Sequence, residues 1–93
     1  MTISRHYFVS GRVQGVGFRQ FTVDVAQKER LTGFVENCPD GRVRAVATGE
    51  KLSLARFESC LRDGPSGSLV KDVEVTERFE GGSYDHFFIL ENE

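Results

Sequence analysis

The chain has 93 residues, 39% of them hydrophobic and 28% charged, with a net charge of −2. Those proportions suit one folded domain with a single core, spanning residues 1–93, and exclude a disordered chain. No apolar run reaches the roughly 20 residues of a membrane span, and the acidic balance argues against a dedicated nucleic-acid partner.

The N-terminal stretch Met-Thr-Ile-Ser-Arg-His lacks a hydrophobic signal core, so the expected location is cytoplasmic. Any anion site must then be local, built from a few donors. Cys38 and Cys60 form no CxxC pair, and His6 and His86 lie far apart. Neither a metal site nor a disulfide is expected from them, and no cofactor is implied.

Arg5 to Gly11 alternates Tyr7 and Val9 with His6 and Ser10, Phe8 falling on the more polar side, and reads as a first strand. After a glycine-rich run, Phe18, Phe21, Thr22, Val25 and Ala26 recur at helical spacing, with Gln20, Asp24, Gln27 and Lys28 turned outward. This helix should fade near Arg30. Gly33 to Cys38 and Arg42 to Thr48 predict a hairpin about Cys38-Pro39-Asp40-Gly41, where Pro39 fixes φ and Gly41 can take a positive one. Leu52, Leu54, Ala55, Phe57 and Leu61 predict a second helix, stopped at Asp63-Gly64-Pro65. Leu69 to Phe79 predicts a fourth strand with Val73 and Val75 on one face, and Gly81-Gly82-Ser83 a loop. Asp85 to Leu90 predicts a last short strand, with Phe87 and Ile89 opposite Phe88 and Leu90. The order β-α-β-β-α-β, with room for a split last strand, predicts an α+β ferredoxin-like sandwich. Its antiparallel sheet would carry both helices on one face.

The run Gly11-Arg12-Val13-Gln14-Gly15-Val16-Gly17-Phe18-Arg19 stands between the first strand and the first helix. A glycine-rich turn in that place lets backbone N–H groups converge on an anion, and Arg19 falls in the first helical turn. Nucleotide motifs fail here. Gln20 stands where a dinucleotide fingerprint needs its third glycine, and a P-loop would need glycine at Val16 and a Lys-Ser/Thr pair. Arg42-Val43-Arg44-Ala45 lacks the aromatics of an RNA-binding sheet. On local sequence alone the run reads equally as a tight turn with a solvated arginine or as a small phosphate site.

The nine residues from Gly11 to Arg19 resemble the signature of the acylphosphatase family. The similarity continues through Leu31-Thr32-Gly33-Phe34-Val35-Glu36-Asn37, Asp40-Gly41-Arg42-Val43, Gly49, Gly64-Pro65 and Phe87-Phe88-Ile89. It thus covers nearly the whole chain in order. The resemblance implies a metal-independent enzyme that hydrolyses the carboxyl–phosphate bond of small acyl phosphates. By the same resemblance Arg19 would hold the phosphate and Asn37 would orient the attacking water. The loop amides of Gln14, Gly15, Val16, Gly17 and Phe18 would wrap the phosphoryl oxygens. The expected form is a monomer whose partner is the small-molecule acyl phosphate, with no nucleic acid and no membrane. A second expectation, from another class, is a non-catalytic module that binds an acyl-phosphate-like anion for a larger assembly.

Elementary chemistry agrees with those roles. A carboxylate leaving group, whose acid has a pKa on the order of 4, needs no general acid at neutral pH. What remains is to position the phosphoryl group and neutralise its equatorial oxygens, which a guanidinium fork and a nest of N–H groups can do. Asn37 can aim a water through its amide and cannot act as an ionising base. Taken alone, Asn37 also reads as a turn-starting asparagine before Pro39-Asp40. Arg42 and Arg44 read most simply as solvated strand residues, and His6 and His86 as surface ones.

Three positions depart from the family pattern. Phe34 replaces a common tryptophan or tyrosine, and Cys38 follows Asn37 where small polar residues are frequent. Arg30 stands where a helix-ending glycine is often found. A left-handed backbone there costs on the order of 1 kcal/mol, which would favour a different helix ending.

Overall fold

A computed structural model of the chain describes residues 2–78 and 84–91, and these form five strands and two helices. In chain order they are β1 (Thr2–Arg12), α1 (Phe18–Lys28), β2 (Thr32–Asn37), β3 (Val43–Glu50), α2 (Lys51–Asp63), β4 (Leu69–Arg78) and β5 (Phe87–Ile89). The expected loop at Gly81-Gly82-Ser83 and the end of the fourth strand at Phe79 lie outside the described residues.

The sheet order is β4-β1-β3-β2-β5. β3 is antiparallel to both β1 and β2, and β4 is antiparallel to β1. The expected antiparallel sheet holds over β4, β1, β3 and β2 and is corrected at the far edge, where β5 pairs parallel with β2 through Gly33, Phe34 and Val35. The cause is directional. β1 and β2 run the same way, so β4 ends at the end of the sheet where β2 begins. A chain that crosses there enters β5 already running with β2. The sheet is therefore mixed.

Alternation along the strands sends Tyr7 and Val9 of β1, Val35 of β2, Val43, Ala45 and Ala47 of β3, and Val73 of β4 into the core. Helix α1 meets them with Phe18, Thr22, Val23 and Ala26, and α2 with Leu54, Phe57 and Leu61. Phe57 stands edge-on between Tyr7 and Phe87, at 5.3 and 5.9 Å between ring centroids. The apolar stripe of α2 is narrower than the sequence implies. Leu52 is 72% exposed and Ala55 is exposed, because the face that meets the sheet runs through Leu54, Phe57 and Leu61, from which Leu52 and Ala55 are rotated by about 200° and 100° around the helix. In α1 the buried stripe is rotated from Phe21 and Val25, both half-buried, toward Val23.

The other sheet face is not a simple solvated surface. Arg44 Nη1 lies 2.6 Å from Glu36 Oε2, its Nε donates to His6 Nε2 at 2.7 Å, and its guanidinium rests 5.1 Å above the Phe34 ring. The Arg42 guanidinium covers Phe8 at 4.2 Å. Both arginines lie over aromatic rings of neighbouring strands, a pairing that a strand-by-strand reading does not reveal.

Helix α1 ends as the family pattern would, with Arg30 in place of glycine. Arg30 takes φ 58°, Arg30 N–H donates to Gln27 O at 3.1 Å, and Leu31 N–H donates to Ala26 O at 2.9 Å. That pair of bonds is a Schellman motif with a non-glycine residue at its left-handed position.

Candidate active site

Because β1 and β2 run in the same direction, the loop after β1 and the last residue of β2 come to the same end of the sheet. Asn37 pairs with Val43, and Val43 pairs with Val9, so the three stand in one row across the sheet. Beyond β1, buried Val13 anchors the loop to the core. Gly15 and Gly17 then take φ 75° and 79°, while Gln14 and Val16 between and before them stay at negative φ. Such alternation turns successive N–H groups toward one side and makes an anion-binding concavity. A Cβ on either glycine would meet nothing within 4 Å, so backbone conformation and not crowding selects glycine here.

Gly17 is the N-cap of α1, with no side-chain capping bond and no acidic residue in the first turn. The leading amides of the helix have no intrahelical acceptor, and the helix dipole places partial positive charge there. Arg19 adds a full positive charge to that same turn, opposite to what helix stability favours. The local sequence sacrifices helix stability to concentrate donors.

These groups surround a cavity of about 160 Å³ lined by Val13, Gly15, Gly17, Phe18, Arg19, Gln20 and Ile89. It gathers four of the expected site residues: Gly15, Gly17, Phe18 and Arg19. Arg19 is 35% exposed, and its Nη1 lies 3.6 Å from Oε2 of the 79% exposed Glu91. A surface pair of this kind is worth at most about 1 kcal/mol, so it leaves the guanidinium available to a stronger anion.

The remaining three expected residues lie around the cavity without lining it. Val16 packs against the core. Gln14 turns its side chain to the β2–β3 connection, where Nε2 donates to Cys38 O at 2.8 Å and to Arg42 O at 2.9 Å. Asn37 follows the buried Val35 by two residues and so projects to the helix side of the sheet, with its side-chain oxygen buried. Val35 pairs with Ile89, which does line the cavity.

The connection between β2 and β3 is closed by other residues. Gly41 N–H donates to Cys38 O at 3.1 Å and Cys38 N–H to Arg42 O at 2.8 Å. Asp40 caps it, accepting Arg42 N–H at 3.1 Å and Arg42 Nε at 2.8 Å. The Arg42 backbone N–H, and then its guanidinium, hold the Asp40 carboxyl below the usual carboxylate range. Asp40 thus does the turn-capping job that sequence alone offers to Asn37. Burial, followed by the nearby Asp40 and Glu36 charges, pushes the Cys38 thiol up, so at neutral pH it is a protonated and poor nucleophile.

Sequence reasoning missed Val13, Gln20 and Ile89 as lining residues and the Gln14 side chain as a link. Ile89 falls in the last matched motif, but its place at the cavity depends on β5 pairing with β2. Among the described residues no cluster of three or more His, Cys, Asp or Glu side chains could hold a metal ion, and no helix is long and apolar enough to cross a membrane.

A ferredoxin-like α+β sandwich whose first strand feeds a left-handed glycine loop, an uncapped helix start and an arginine defines a small phosphate-handling domain. Comparison with known proteins narrows that class. The acylphosphatase family model matches residues 5–89. An acylphosphatase from Archaeoglobus fulgidus is 46% identical over 85 residues, covering 91% of this chain and 94% of that one. The crystal structure of acylphosphatase from Bacillus subtilis superposes with a TM-score of 0.94 at 38% identity, covering 96% of this chain and 99% of the other. A full-length HypF structure matches with a TM-score of 0.87 at 30% identity, over 98% of this chain but only 12% of HypF. The chain belongs to the acylphosphatase family, hydrolases that split acyl phosphates into a carboxylate and inorganic phosphate.

Proposed function

We propose that this acylphosphatase works as a single-domain cytoplasmic monomer without a metal, with Arg19 and the Gln14–Phe18 loop amides holding the phosphoryl group and Asn37 aiming the water. The observation that carries the reading is the shared cavity: the two left-handed glycines, the uncapped helix start and Arg19 all border it. In that arrangement the phosphoryl oxygens face amides and the guanidinium, which replace the charge neutralisation that a divalent cation supplies in other phosphoryl transfers. The oxygen of a water aimed by Asn37 bonds to phosphorus as the bond from phosphorus to the acyl oxygen breaks. The electron pair of that bond leaves with the carboxylate. One water proton ends on a phosphate oxygen, so the products are a carboxylate and dihydrogen phosphate. No side chain needs to ionise in the step.

The test is hydrolysis of benzoyl phosphate by the purified protein in the presence of a chelator, with Arg19→Gln and Asn37→Ala beside it. Losing one such transition-state contact costs about 3 kcal/mol or more, a fall of at least about 100-fold in kcat/KM. Arg19→Gln is expected to lose inorganic phosphate as a competitive inhibitor as well. Asn37→Ala should keep that inhibition and lose turnover. Wild-type rates in both variants would refute the assignment. Sedimentation of the pure protein checks the monomer.

A further inference from the structure

We infer that Gln14 is a positioning residue: its side-chain amide clamps the phosphate loop to the β2–β3 connection that follows Asn37. The inference rests on the roles proposed above for the loop and for Asn37, and it goes beyond a backbone contribution from Gln14.

The geometry is specific. Gln14 Nε2 donates to two carbonyl oxygens, Cys38 O at 2.8 Å and Arg42 O at 2.9 Å, across 24 and 28 positions of sequence. Two carbonyl acceptors require the NH₂ group and not the amide oxygen, which fixes the orientation of the side chain, and both of its hydrogens are used. The same two carbonyls already close the connection by accepting Gly41 N–H and Cys38 N–H. One side chain therefore joins the residue after Asn37 to the residue before the first nest glycine. No strand pairing does this job, because β1 and β2 are separated in the sheet by β3.

The consequence for the reaction is a division of labour. The groups that face the phosphate, the Gln14 to Phe18 amides and Arg19, belong to the loop after β1 and the first turn of α1. Asn37 is carried by β2. Only their relative placement decides whether a water held by Asn37 stands in line with the bond that breaks, and misplacement by about 1 Å can cost about 100-fold in rate. The clamp sets that placement. A residue at 14 of similar length without donors keeps the phosphate contacts and loses the alignment.

The experiment compares Gln14→Met, Asn37→Ala and the double variant in benzoyl phosphate hydrolysis, at a temperature well below each melting midpoint. Gln14→Met should lower kcat by about 10- to 100-fold while KM and the inhibition constant of inorganic phosphate stay within about threefold. In the Asn37→Ala background the same substitution should change the residual rate by no more than about twofold, since no aimed water remains to be misplaced. A Gln14→Met protein that is less thermostable yet has wild-type kcat would overturn the inference, as would an undiminished effect in the double variant. If Asn37→Ala alone retains wild-type turnover, the assignment of the water is at fault and the clamp falls with it. Should Gln14→Met not fold, NMR on the wild type decides. The Gln14 NH₂ protons must exchange slowly and show couplings through hydrogen bonds to the Cys38 and Arg42 carbonyl carbons. Exchange at the rate of a free glutamine would refute the clamp.

Discussion

Replacing Arg30 by glycine should make the protein more stable. Arg30 occupies the left-handed position of the Schellman motif at φ 58°, where a side chain with Cβ costs roughly 1–2 kcal/mol that glycine does not. Both hydrogen bonds of the motif run from main-chain N–H groups, Arg30 to Gln27 and Leu31 to Ala26, so the substitution leaves them in place. Against the gain stands the extra freedom of glycine in the unfolded chain, about 0.4–1 kcal/mol. The net is about 0.5–1 kcal/mol, or roughly 2–8 °C in melting midpoint for a domain of this size. The assay is urea and thermal unfolding of Arg30→Gly, with Arg30→Ala as the control that removes the charge and keeps Cβ. Activity should not change, because Arg30 lies beyond the C-terminal end of an eleven-residue helix, about 16 Å long, from the loop at its start. If Arg30→Gly is no more stable than Arg30→Ala, the backbone is not strained there and the reasoning is wrong.

The remaining predictions concern the core and its titration. Leu54→Ala should lower stability by about 2–5 kcal/mol, because the side chain is fully buried, whereas Leu52→Ala, at 72% exposure, should cost less than about 0.5 kcal/mol. Equal losses in urea unfolding would contradict the placement of α2. Burial pushes the Tyr7 hydroxyl up to about 12, with Arg5 beside it acting in the opposite sense. Unfolded tyrosine ionises near 10, so the unfolded state gives up its proton first. The stability contribution is complete below about pH 10 and is lost between about pH 10 and 12, to the extent of roughly 2–3 kcal/mol. The wild type should lose stability relative to Tyr7→Phe over that window, and a difference that stays constant with pH would count against it.

What could be read from the sequence was local. The run from Gly11 to Arg19 carries its own conformational instructions, since two glycines and a following apolar helical stripe suffice to specify a loop and a helix start. The Cys38-Pro39-Asp40-Gly41 turn is legible for the same reason. The errors were of register and of distance. Leu52 matches the spacing of a helix, but its exposure depends on where the helix meets the sheet. Arg42 and Arg44 look solvated one strand at a time, and their aromatic partners sit on β1 and β2. The direction of β5 follows from which end of the sheet β4 leaves, a property of the whole topology. Gln14 is the sharpest case. Its position in the loop marks it as a donor of backbone N–H, yet its side chain meets carbonyls on a connection two strands away.

The bare start of α1 has an effect on the protein as a cellular molecule. A helix that carries its own cap is finished when it folds, whereas with the phosphate site proposed above this one would be finished by the anion held in the loop. Any such ligand adds RT ln(1 + [L]/Kd) to the folding free energy, about 2.7 kcal/mol at a hundred times Kd. If the loop holds phosphate as proposed, folded abundance is tied to the phosphate content of the surroundings. On the same proposal, substitutions far from the loop that would be lost in a phosphate-poor medium would become tolerable in a phosphate-rich one.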